Sequence, residues 1–319
     1  MMAHGGETPE FLDFASCVFD RTGRWDMAWE LALRVEGNSQ GTALGTRASI
    51  LRANILAKRG RLDEALSLLD TIEWGVNDDA LLTRILQSKA SALRRLGRTT
   101  EALDSCMRAG RLAHEMGDSD LRAQCQMEAG SIMVALGDCE NGLGELVKAR
   151  ATFEESEKIL DIIRCDINTG VGLKCCGRLE EAEDTLSGAA EAAMEAGLNR
   201  VRAHALANLS DLLNMRGNYR QSADMAGIAA ETFSCLGEPL MEVAALLNLC
   251  IGLAGSGERG KAESTMRDAI AILKERDLLE SRHEWLEECA KMLKGMGDKG
   301  LAMRLRKAGR DGRKCPLNR

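Results

Sequence analysis

The side chains able to do chemistry in this sequence do not assemble into a catalytic motif. The four histidines, His4, His114, His204 and His283, share no metal-ligand spacing, and HExxH is absent. There is no GxxxxGK loop followed by Ser or Thr, no GxGxxG after a strand and no GxSxG. The acidic pairs Glu154–Glu155 and Glu180–Glu181 read as solvated charges near helix ends. The expectation is a chain that is not an enzyme and carries no cofactor or metal. One polar pattern does recur: Asn168, Asn208 and Asn248 stand 40 residues apart. An Asn amide offers two donor protons and two acceptor lone pairs. It can therefore hold both the N–H and the C=O of an extended peptide without demanding one side chain. The competing reading is that these amides bond a neighbouring part of the protein.

The elements that would position those residues follow from a repeat. Turns at Gly23, Gly60, Gly97, Gly137, Gly177, Gly217, Gly257 and Gly297 are spaced 37, 37, 40, 40, 40, 40 and 40 residues apart. Five residues after each stands a small residue: Ala28, Ala65, Ala102, Gly142, Ala182, Ser222, Ala262 and Ala302. Midway between turns come Gly117, Gly197 and Gly237, with Glu157 and Asp277 taking that place in two repeats. Glycine suits a helix end because it enters the left-handed conformation without a Cβ penalty. The unit reads as helix, turn, helix, turn, and the small residue lets paired helices approach closely. Leu206, Leu209 and Leu213, then Ala226 and Ala229, keep a helical period of 3.6 rather than the period of 2 of strands. One hairpin cannot bury its own apolar face, but stacked hairpins can.

Composition agrees. Apolar residues make up 45% and charged residues 29% of the 319, with only 3 prolines, which favours helix. The net charge of −7 argues against general nucleic-acid binding. No 18-residue apolar run occurs and MMAHGGETPE has no apolar signal region, so a cytoplasmic protein away from membranes is expected. The 11 cysteines include no CxxC and read as small buried apolar residues in a reducing compartment, with metal or disulfide roles as the alternative.

The stretch NLSDLLNMRGNYRQSADMA (208–226) resembles the tetratricopeptide repeat, as do GRLDEALSLLD (60–70) and GRLEEAEDTL (177–186). The resemblance covers about residues 10–309 and implies an all-α, right-handed solenoid of about eight hairpins. The 40-residue unit is similar to the subgroup of kinesin light chains, LGN-type scaffolds and bacterial quorum-peptide regulators. HEAT or armadillo arrays have similar periods but lack the small residue five after the glycine. The expected organisation is a flexible N-terminus (1–9), one solenoid (10–309) and a basic tail (310–319). Phe11, Phe14, Phe19, Trp25 and Trp29 would seal the first repeat or form a dimer or partner contact.

In the resembled family, first helices line a concave groove through positions 13, 10, 9, 6, 3 and 2 residues before each turn glycine. Carried over, these are Arg47 and Arg84 (with Arg164, His204 and Glu284 later in the array), Asn168, Asn208 and Asn248, Asp211, and Lys58, Arg94, Arg95 and Lys174. The early groove would be basic, fitting an acidic or carboxylate-bearing partner segment. Leu247, Ile251 and Met215 would give a more apolar floor, and Glu284, Glu287 and Glu288 an acidic end, with Glu287 paired to Lys291. The resemblance implies a protein- or peptide-binding scaffold or adaptor, monomeric or homodimeric. The alternatives are a ligand- or peptide-sensing regulatory protein and an oligomeric structural subunit.

Overall fold

The structure is a computed structural model; it describes residues 12, 25–276, 279 and 282–312. Its chain divides into two compact units, residues 1–178 and 179–319. Among the described residues every regular element is an α-helix. The first unit holds α1 (Trp25–Asn38), α2 (Ala43–Lys58), α3 (Leu62–Glu73), α4 (Asp79–Arg95), α5 (Thr99–Glu115), α6 (Ser119–Ala135), α7 (Cys139–Glu155) and α8 (Ile159–Cys175). The second holds α9 (Leu179–Glu195), α10 (Asn199–Arg216), α11 (Tyr219–Cys235), α12 (Pro239–Gly255), α13 (Arg259–Glu275), α14 (His283–Gly295) and α15 (Lys299–Gly312). Gly23, the three N-terminal Phe residues, Asp277, Cys17 and Cys315 lie outside the described residues. Helix α15 runs to Gly312, into the stretch read as a tail; residues 313–319 are likewise outside.

Each helix end follows one recipe. The turn glycines from Gly60 to Gly297 all have positive φ, between 65° and 89°. At Gly97, the glycine N–H donates to the Arg94 carbonyl at 3.0 Å, and the next N–H, of Arg98, donates to Leu93 at 2.9 Å. This pair of bonds satisfies carbonyls that would otherwise be orphaned at the helix end. It recurs at Gly60, Gly137, Gly177, Gly197 and Gly257. Glu157, expected from spacing to stand in a glycine's place, has φ 54°; its N–H donates to the Glu154 carbonyl and the next N–H, of Lys158, to that of Phe153. It is the only described non-glycine with positive φ. The next helices often begin on an Asp: Asp78, Asp118 and Asp298 accept from the N–H three residues on, at 2.9 to 3.1 Å.

The small residues five after each turn are all buried, from Ala28 to Ala302. At Gly142 the reason is direct: a Cβ would meet the Gly130 carbonyl oxygen at 2.7 Å and Val134 Cγ2 at 2.8 Å. Backbones of α6 and α7 thus touch, and two glycines make room. In the second unit Ser222 occupies the position and donates to the Ser210 carbonyl at 2.8 Å, turning close approach into a hydrogen bond. Sixteen residues after a turn, Ala113, Phe153, Ala193, Phe233 and Leu273 are completely buried. Leu247, Cys250, Met266, Leu286 and Leu305 join the core of α12 to α15.

An ionic tie adds to the apolar packing of the first unit. Lys89 of α4 donates to Asp70 and Glu73 of α3, both at 2.6 Å, and Arg108 of α5 reaches Glu73 at 3.1 Å. Partial burial by itself would raise the Glu73 pKa, but the Lys89 and Arg108 bonds outweigh it and hold the carboxyl below its ordinary 4.5. Burial would lower Lys89, and its two carboxylates instead raise it above 10.5.

Two outcomes are expected. Glu157→Gly should stabilise the first unit by about 0.5–1 kcal/mol and Gly137→Ala destabilise it by about 1 kcal/mol, since only glycine takes this φ without strain; denaturant titration of both variants checks this. The Glu73–Lys89 tie should be intact between the two pKa values. Its stabilisation is lost as pH falls through the depressed Glu73 pKa, or rises through the raised Lys89 pKa. Glu73→Gln should therefore remove about 1 kcal/mol at pH 7 and flatten the decline of stability below pH 4.5, read from unfolding at a series of pH values.

Candidate peptide-binding surface

The candidate positions fall on α2, α4, α6 and α8 in the first unit and on α10, α12 and α14 in the second, each being the helix that precedes a turn glycine. On such a helix, residues 13, 9, 6 and 2 before the turn share one broad face. Burial agrees with a lining role. Arg84, Arg94 and Arg164 are exposed, while Arg47, Arg95, Asn168, Lys174, Asn208, Asp211 and Asn248 are half-buried.

The three asparagines differ in what they have left to offer. Asn248 of α12 donates through Nδ2 to the Ala207 carbonyl and Ser210 Oγ of α10, each at 3.2 Å. In return the buried Asn214 of α10 donates to the Asn248 carbonyl at 3.0 Å. Asn248 therefore joins two consecutive first helices, as the structural reading anticipated. Asn208 donates to the His204 carbonyl, one turn back on its own helix, at 2.9 Å. Both Oδ1 atoms remain without a protein donor, and Asn168 has neither donor nor acceptor engaged. Asn248 thus presents an acceptor only, Asn208 an acceptor and one remaining amide proton, and Asn168 its full set. The Asn214 Oδ1 atom is buried without a partner, a cost that the Nδ2 bond to α12 helps offset.

The basic patch is partly answered from within. Arg94 Nε lies 3.0 Å from Glu128, which stands nine residues before Gly137 on the next first helix. Arg164 pairs with the buried Asp161 at 3.2 Å. Lys58 places Nζ 4.0 Å from the centre of the Trp25 ring, and Arg52 lies 4.9 Å from that of Trp29. Trp25 itself is buried with Ala28, Leu31 and Val35 against Ala48, Leu51 and Ile55. The early face is basic, but much of its charge is already held.

Two expectations for the later face are corrected. Leu247 and Ile251 are buried in the core and form no surface floor; only Met215 is exposed. Glu287 pairs with Arg306 of α15 at 3.0 Å rather than with Lys291. His204 turns its ring onto Phe233, edge to face, with centroids 4.9 Å apart. Of the nine described cysteines, all free thiols, Cys106, Cys125, Cys165, Cys250 and Cys289 follow the packing reading and are buried, whereas Cys139 and Cys176 are half-buried and Cys175 and Cys235 exposed. Burial pushes Cys125 and Cys165 up to about 12, which leaves them unreactive at neutral pH.

A family model described as tetratricopeptide repeat matches residues 46–71. The hairpin over residues 46–71 is thus of tetratricopeptide type, and the other described helices repeat its helix–turn–helix geometry. A comparison with curated proteins found no significant sequence match. Among solved structures, a Rap protein complexed with competence and sporulation factor is similar at 14% identity, with a TM-score of 0.64, covering 96% of this chain and 98% of its own. The Rap conjugation gene regulator of plasmid pLS20, in complex with the Phr* peptide, has a TM-score of 0.69 at 12% identity, covering 85% of this chain and 74% of its own. Aspartyl phosphate phosphatase F from Bacillus subtilis has a TM-score of 0.60 at 13% identity, with 89% and 74% covered. At such identities the likeness is one of fold. No cluster of three or more potential metal ligands occurs among the described residues, and no described helix is long and apolar enough to cross a membrane.

Asn248→Ala should cost about 1–2 kcal/mol, because it strips partners from Ala207, Ser210 and the α10–α12 contact, whereas Asn168→Ala should be neutral. Thermal or denaturant unfolding of the two variants distinguishes them.

Proposed function

We propose that the chain is a non-catalytic module that captures an extended peptide along the faces of its first helices. The observation that carries the reading is the half-buried Asn at one repeat position, with the side-chain Oδ1 atoms of Asn168, Asn208 and Asn248 lacking a protein donor. Such oxygens accept backbone N–H groups, which gives affinity without selecting one side chain. The basic residues Arg47, Arg84, Arg94, Arg95, Arg164 and Lys174 favour an acidic stretch in the peptide. A carboxylate reaching Arg94 would compete with Glu128. Asp211 adds one acceptor on the second unit's face. The module would be cytoplasmic, a monomer or homodimer, and would act over the single run of repeats from residue 10 to 309.

A regulatory role is a second reading, favoured by one observation: the similar conjugation gene regulator is solved with a peptide bound. On that reading, peptide capture alters what else the chain holds, rather than bringing two partners together.

Selection of binders from a random peptide library, followed by calorimetric titration of a winning peptide, tests the proposal. Asn168→Ala and Asn208→Ala should each weaken binding about 5- to 10-fold. Arg84→Glu combined with Arg94→Glu should abolish binding of acidic peptides. A library that yields no binder, or affinities unchanged in all these variants, would refute it.

A further inference from the structure

The most exposed large apolar side chain among the described residues is Trp74, with 93% of its surface open. It stands just beyond α3, a second helix of a hairpin, and so belongs to a different helix set from the candidate peptide face. It borders an open cleft of about 400 Å³ lined by Asp63, Leu66, Ser67, Asp70, Thr71 and Arg98. Five of these seven residues, Asp63, Ser67, Asp70, Thr71 and Trp74, form one stripe along α3, since they are spaced three or four apart. Leu66 closes the floor and is buried.

The charges in the cleft are not balanced. Arg98 stands across from the stripe, but its Nε and Nη2 bind both oxygens of Glu101, at 2.7 and 2.6 Å. Asp70 shares the Lys89 ammonium with Glu73. Asp63 makes no hydrogen bond or close ion pair within the protein and meets Arg98 only through a longer-range Coulomb attraction. What remains is an indole face, one carboxylate with no hydrogen-bonded partner, a second half-used one and two hydroxyl-bearing side chains. An exposed tryptophan is costly to leave in water, and its ring attracts cations.

We propose that this cleft is a docking site for an arginine side chain of a partner peptide, independent of the first-helix face. The guanidinium would lie over the Trp74 ring and pair with Asp63, while its aliphatic stem covers the indole edge. Guanidinium suits the site because it stacks on aromatic planes and forks onto carboxylates.

The full chain, labelled with 15N at its tryptophan indoles, provides the test. The Trp74 resonance is assigned by its loss in Trp74→Phe, and the protein is titrated with an acetylated hexa-arginine amide. The Trp74 signal should shift and saturate, and a hexa-glutamate peptide should leave it unmoved. Trp74→Ala and Asp63→Asn should each weaken binding about 3- to 10-fold, whereas Glu231→Gln, on an exposed part of the second unit, should not change it. An unmoved Trp74 signal would overturn the proposal. So would equal affinity in both cleft variants, which would mean that the cationic peptide merely coats an acidic protein.

Discussion

Each hairpin depends on a helix ending in the left-handed conformation, which happens about every 20 residues through most of the described chain. The reversal sets three things at once. It stops one helix, it hands the last carbonyls to the next two N–H groups, and it fixes the angle at which the following helix returns. At every second turn, from Gly60 to Gly297, a small residue five positions later arrives at the neighbouring helix. There Ala, Gly or Ser is buried, and at Gly142 a single added carbon would collide with backbone. The tolerance of the design is seen at Glu157, where the geometry is kept without a glycine and the strain is borne.

This explains what could be read from the sequence. Glycine spacing is a backbone constraint, local in sequence, so it located the turns, and Glu157 was placed by period alone. The burial of Leu206, Leu209 and Leu213 followed from helical period for the same reason. Partner choice among long polar side chains did not follow. Whether Arg94 meets a ligand or Glu128 is decided between helices 34 residues apart in the chain. Glu287 was expected one turn along its own helix and instead turned to α15. Leu247 and Ile251 were misread because a first helix is buried on two sides, toward its hairpin mate and toward the next repeat, which leaves only a narrow outward stripe. Asn214 and Ser210 left no signal, since a buried polar contact depends on another helix.

The same packing limits what a binding face can offer. First helices must touch one another to stack, and polar groups at their edges serve both tasks. Asn248 holds α10 to α12 with its amide protons, and its side-chain Oδ1 has no protein donor. Arg94 and Glu128 hold α4 to α6 and keep only part of their charge. Binding specificity would then come from the groups that stacking leaves unused, such as Asn168 in the first unit and the Asn208 oxygen in the second. Trp74 and Asp63, on a second helix, escape this double duty altogether.

Residue-resolved amide hydrogen exchange on the native chain tests the turn geometry most directly. The N–H groups just after the turns, at Arg98, Asp138, Lys158, Arg178 and Glu258, donate back to helix carbonyls at 2.8 to 2.9 Å. They should be protected as strongly as mid-helix amides despite sitting in connecting segments. Exchange at those five positions at the rate of an open loop would contradict it.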